Sequence, residues 1–154
     1  MPVVLFDPTS LHPDDLTGIL FSEVQMCGIV NNYPVGRHAV SFQPVDLFAN
    51  NDRTFRVFVK TPDLNIVNLT GAQGILTVKT DKSATSPVFQ KSTMVGTQGA
   101  IGSPDQGEMF FYIVPADTAN LEIRQYVFDV KTILSTGKAY TVLEGVLNLD
   151  QPVG

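Results

Sequence analysis

Apolar and polar positions alternate most clearly in the second two thirds of the chain. Phe55, Val57 and Val59 face one way with Arg56 and Lys60 the other, and Leu76 and Val78 alternate with Thr77 and Lys79. A period of two is what a strand produces when one face packs on a core and the other meets water. Further along, 109–114 breaks at Pro115-Ala-Asp-Thr118, 123–131 breaks at Ser135-Thr-Gly-Lys138, and 139–149 forms a last apolar run. Aromatic and β-branched residues fill these runs, and Gly, Pro, Asp and Ser clusters end them. The pattern predicts about seven strands, at 40–45, 55–60, 74–80, 88–91, 109–114, 123–131 and 139–149. That spacing suits an immunoglobulin-like antiparallel β-sandwich, with a small closed barrel as the competing architecture. No segment has a helical period. Residues 44–49 and 117–121 are each read as a single turn, and the four-glycine stretch 96–107 as a long flexible connection.

The first third reads differently. Half of the ten prolines, at 2, 8, 13, 34 and 44, fall there, and proline favours extended backbone in itself and its predecessor. Asp7, Asp14, Asp15, Glu23 and Asp46 stand against Arg37 alone, so residues 1–50 carry four of the five net negative charges. The middle of this stretch is apolar, at Ile19, Leu20, Phe21, Val24, Met26, Ile29 and Val30. Residues 1–39 are therefore read as an extended N-terminal arm and 40–154 as the sandwich domain. The alternative is that the apolar runs are one or two ordinary strands of the same sandwich, because short runs cannot be assigned by periodicity.

Composition narrows the function classes. A chain of 154 residues is long enough to bury a real core as one domain. Cys27 is the sole cysteine and forms no disulfide within the chain. A net charge of −5 without a Lys/Arg cluster argues against nucleic acid. No run is long enough to cross a bilayer as a helix, and the first six residues lack the basic start of a signal peptide, so no membrane association is expected. Charged residues make up 16% of the chain, against about 25% in ordinary soluble domains. Either uncharged Asn, Gln, Ser and Thr carry the solubility of such a weakly charged exterior, or neighbouring subunits cover part of it.

Candidate chemistry is sparse. His12 and His38 have no partners at metal-ligand spacing, and Cys27 has no base beside it and reads as a small buried hydrophobe. Gly96, Gly99 and Gly102 mimic a dinucleotide fingerprint without the strand and helix it requires. Asn68-Leu-Thr70 fits a glycosylation sequon that has no meaning without secretion. Asp14-Asp15, or Asp117 with Asp129, form a carboxylate pair only on paper, since turn aspartates usually cap turns. Glu144-Gly145 is read as a bulge or edge position. No catalytic residue, metal or cofactor is expected.

The succession of the strand at 55–60, Leu69-Thr-Gly71 leading into 75–79, Pro115-Ala-Asp-Thr118, Tyr126-Val-Phe-Asp129 and Gly137 before Val142-Leu-Glu-Gly145 resembles small β-sandwich domains of tailed-bacteriophage virions. The N-terminal domain of the phage upper baseplate protein is of this kind. The resemblance covers roughly residues 45–150, and the arm and the end just after the last strand depart from it. It implies a non-enzymatic virion structural protein, assembled in the host cytoplasm. Capsid decoration or cementing is the first expectation, and a tail or baseplate adaptor the second. A carbohydrate-binding module is the third, which the absence of Trp and the four Tyr count against. The implied partners are other virion proteins, either the major capsid protein or tail and baseplate subunits, together with further copies of the chain. Leu5, Phe6, Ile19, Leu20 and Phe21 in the arm, with Gly99 and Ile101 in the glycine-rich stretch, are the expected contact residues.

Overall fold

A computed structural model describes residues 23–30 and 41–152. Within them the chain forms nine strands: β1 Glu23–Ile29, β2 Ser41–Phe48, β3 Arg53–Lys60, β4 Gln73–Lys79, β5 Phe89–Ser92, β6 Gly99–Ile101, β7 Glu108–Ile113, β8 Gln125–Ile133 and β9 Ala139–Asp150. They make two sheets, in the orders β1-β3-β7-β6 and β2-β9-β8-β4-β5. The inward positions of both sheets close on one core. Phe55, Val57 and Val59 of β3 and Met109, Phe111 and Ile113 of β7 face Leu76 and Val78 of β4, Tyr126, Phe128 and Val130 of β8, and Leu147 and Leu149 of β9. Phe55 and Phe128 meet with ring centroids 5.9 Å apart at a tilt of 59°, a favourable aromatic geometry. The architecture is a β-sandwich and not a closed barrel.

All seven expected strands are present, and two more accompany them. β1 lies inside the stretch read as an arm. Val24, Met26 and Gly28 alternate inward along it and pair in parallel with Phe55, Val57 and Val59 of β3, so the apolar residues there are met by the protein's own core. The remaining arm residues, including Leu5, Phe6, Ile19, Leu20 and Phe21, lie outside the described residues, as do His12, His38 and Asp14-Asp15. β2 is also parallel to its neighbour, from Ser41 opposite Leu143 to Phe48 opposite Asp150. The sheets are thus mixed, each carrying one parallel pair at one side and antiparallel pairs elsewhere.

Three local expectations are corrected. The turn expected at 44–49 is strand as far as Phe48, because Val45 and Leu47 point into the core while Pro44 and Asp46 point out. Pro44 is tolerated because β2 is an edge strand. The stretch 96–107 is ordered rather than flexible: β6 pairs with β7, and the 3-10 turn Pro104–Gln106 ends at Gly107 with φ 68°. A Cβ at Gly107 would stand 2.7 Å from the Val59 carbonyl oxygen and 2.9 Å from that of Val67, so this glycine provides close approach. The bulge placed at Glu144-Gly145 falls instead at Val142, where Val130 opposes Leu143 and Lys131 opposes Thr141. The extra residue turns both Val142 and Leu143 inward.

One short helix, α1 Pro115–Thr118, follows β7. Proline opens it, and the Val114 amide donates to Asp117 Oδ2 at 2.8 Å, which satisfies an end donor as a cap does. The Asn50 amide donates to Thr118 Oγ1 at 2.9 Å, joining α1 to the β2–β3 turn.

Candidate interaction surfaces

The outer face of the five-stranded sheet holds a concave surface feature. The strand registers place Phe42, Glu144, Asp129, Thr77 and Gln90 in one row, each opposite the next, running across β2, β9, β8, β4 and β5. At about 4.8 Å between strands the row spans about 19 Å. Two adjoining hollows lie along it. One, of about 420 Å³, is lined by Phe42, Lys79, Lys82, Asp129 and Glu144, with Phe128 and Gly145 beneath. The other, of about 340 Å³, is lined by Thr85, Gln90, Lys131 and Thr141 and shares Thr77, Lys79 and Asp129 with the first.

The side chains of the row are unevenly engaged. Lys82 Nζ is 3.3 Å from Glu144 Oε1, and Gln90 Nε2 donates to Thr77 Oγ1 at 2.9 Å. Among the described residues the Asp129 carboxylate accepts no hydrogen bond and makes no ion pair. Burial lifts its pKa above the ordinary carboxylate value, with Lys131 opposing and Glu144 adding to the rise. Neither of its oxygens is among the buried atoms left without a partner, so solvent reaches the carboxylate and a ligand hydroxyl could take the place of water there. Phe42, at one end, is 66% exposed. On the inner side of the sheet, beneath the row, the Phe128 ring lies across Gly145: a Cβ there would be 2.6 Å from the ring and closer still to the Gln43 carbonyl oxygen.

The outer face of the four-stranded sheet is knit together instead. Arg56 Nε donates to Glu108 Oε2 at 2.7 Å, and its Nη1 is 3.5 Å from Glu23 Oε1. The same guanidinium lies over Phe58 at 4.8 Å and over Phe110 at 5.7 Å. Glu108 Oε1 accepts from the Ser103 amide at 3.1 Å, so this cluster fastens β1, β3, β7 and the loop before β7.

The other sequence candidates are dispersed. Gly99 is buried in β6 and Ile101 packs partly against the core. Asp117 sits in α1 beside Lys91, while Asp129 faces outward from β8. Asn68 is exposed and its Oδ1 accepts from the Thr70 amide at 2.9 Å, a local turn. Cys27 is half-buried in β1. Among the described residues no three His, Cys, Asp or Glu side chains converge as a metal site, and no helix is long and apolar enough to cross a membrane. The row is not legible in the sequence because its five members lie on five strands, and the signals there, Glu144 interrupting an apolar run and Asp129 paired on paper with Asp117, do not connect them.

Among solved structures, the fold is similar to the N-terminal domain of phage TP901-1 ORF48, with a TM-score of 0.55. The match covers 84% of this chain and 98% of that chain at 9% sequence identity. The chain therefore has the fold of a phage protein domain. No protein-family model matches the sequence, and no curated protein matches it.

Proposed function

We propose that this chain is a non-enzymatic structural component of a tailed-phage virion, acting as a tail or baseplate adaptor that works by contact with neighbouring subunits. The observation that carries this reading is the fold likeness to a phage N-terminal domain over 98% of that domain's length. The motif resemblance to upper baseplate domains points the same way. The weakly charged composition, with 16% charged residues, suits surfaces that become covered on assembly.

Adhesion of this kind rests on apolar burial, at about 25 cal/mol per Å² before ordering costs. Phe48, 49% exposed at the end of edge strand β2, and Ile123, 45% exposed just before β8, suit such a contact. Capsid decoration is the other arrangement of the same adhesive chemistry, and particle binding separates the two. Purified protein is mixed with isolated tails and with empty capsids and sedimented, and its own assembly is followed by solution scattering. Co-sedimentation with tails and a closed oligomer are expected. Attachment to shells alone would establish the cementing role instead, and turnover of a substrate would overturn the non-enzymatic reading.

A further inference from the structure

We infer that the outer face of the five-stranded sheet is a binding site for a linear, uncharged polysaccharide, held along the row Phe42, Glu144, Asp129, Thr77 and Gln90. The inference goes beyond a structural role in a virion and does not depend on it.

Three observations select the ligand. The first is shape. The two hollows adjoin and share Thr77, Lys79 and Asp129, so together they form an open furrow rather than an enclosed pocket. Such a furrow takes an extended chain passing through it. Their volumes of about 420 and 340 Å³ fall in the range of small-ligand sites.

The second is charge. Lys79, Lys82 and Lys131 stand around Asp129 and Glu144, so either sign of charge on a ligand would meet its like at short range. A hydroxyl-bearing ligand avoids that conflict, because each hydroxyl both donates and accepts. It donates to the Asp129 carboxylate, which lacks a donor within the described protein, and accepts from Lys79. Hydrogen bonds to a charged acceptor are the stronger kind.

The third is the platform. Phe42 is opposite Glu144 in the strand register and 66% exposed. An exposed aromatic ring beside hydrogen-bonding groups matches the two-sided character of a sugar ring, apolar on its face and polar at its rim. Thr77 and Gln90 extend the polar side of the row to β5. A basic peptide is the rival occupant. It would satisfy Asp129 but would have to pass three lysines.

The test is an amide NMR titration of the intact chain with tetrasaccharides and disaccharides derived from cellulose, amylose, chitin and galactan. At least one tetrasaccharide is expected to shift the amides of Thr77, Lys79, Asp129 and Glu144 at millimolar concentration, and to bind more tightly than its disaccharide. Asp129→Ala and Lys79→Ala are each expected to weaken it by about tenfold or more, and Phe42→Ala by a smaller factor. Met94→Ala, on an exposed turn away from the row, leaves it unchanged. Thermal unfolding of each variant confirms that the sheet is intact, and Lys79→Ala stands in if Asp129→Ala does not fold. No shift with any of the saccharides overturns the proposal. So does binding that survives both the Asp129 and Lys79 substitutions, or displacement of the same amides by tetralysine alone.

Discussion

Lys91 Nζ lies 2.7 Å from Asp117 Oδ2, with the two side chains only 7% and 15% exposed. The pair ties the short edge strand β5 to α1, the link between β7 and β8. Asp117 also caps α1 by accepting from the Val114 amide.

Removing one member of such a pair strands the other. Asp117→Ala is expected to cost about 3 kcal/mol or more, since it leaves the Lys91 ammonium buried and also removes the cap. Lys91→Met, which keeps the apolar stem, is expected to cost less. Denaturant unfolding of both single variants and the double variant checks this. A double variant as destabilised as the sum of the singles would show that the two side chains are not coupled.

The Phe128 ring over Gly145 makes a second expectation. Gly145→Ala pushes a methyl into the ring and into the Gln43 carbonyl, and overpacking of this kind costs about 1–3 kcal/mol. The loss should appear first as faster hydrogen exchange in β2 and β9. Protection unchanged in those strands would refute the clash.

Asp129 carries a pH dependence whose sign follows from its raised pKa. A carboxyl that holds its proton more tightly folded than unfolded supports the fold while protonated. That support is lost as pH rises from the ordinary carboxylate range through the folded-state value. Asp129→Asn is therefore expected to raise the melting temperature at neutral pH, with the difference shrinking toward zero below about pH 4. The group is partly solvated, so the gain is below about 1 kcal/mol. Melting curves across the acid to neutral range decide it. An Asn variant less stable than the parent at neutral pH contradicts the argument.

β1 is part of the core, and its two faces should respond unequally. Met26 is 3% exposed and pairs with Val57, so Met26→Ala should cost about 2–4 kcal/mol. Gln25, exposed on the other face, should be nearly indifferent to Ala. Deleting residues 1–35 removes the strand and should unfold or strongly destabilise the sandwich, whereas deleting 1–22 leaves every described strand in place. Circular dichroism and thermal melts of the two truncations separate these outcomes.

The strands that alternate strongly were legible, since Phe55-Arg56-Val57 and Leu76-Thr77-Val78 announce one wet and one dry face. β1 was harder to place. Its inward residues Val24 and Met26 alternate correctly, but acidic and proline-rich sequence precedes it, and a parallel edge strand has no hairpin turn to mark it. β6, three residues long with Gly99 and Ala100, has too little side chain to carry a pattern. The outer row was illegible for a topological reason. Phe42 and Gln90 share it only because β2 joins β9 and β4 lies between β8 and β5, and registers between distant strands leave no mark in the local sequence. Asp129 was noticed, but its carboxylate neighbour across the sheet is Glu144, not Asp117.

The parallel pairing of β2 with β9, from Ser41 opposite Leu143 onward, has a bearing on biogenesis. A ribosome delivers the early strand long before its neighbour exists, leaving Phe42 and Val45 without a ladder for the synthesis of about a hundred residues. β9 completes the hairpin with β8 locally, and the pairing of the older strand with it closes the longest loop of any strand ladder among the described residues. Of all the described strands, β2 is therefore the one whose pairing waits longest on synthesis.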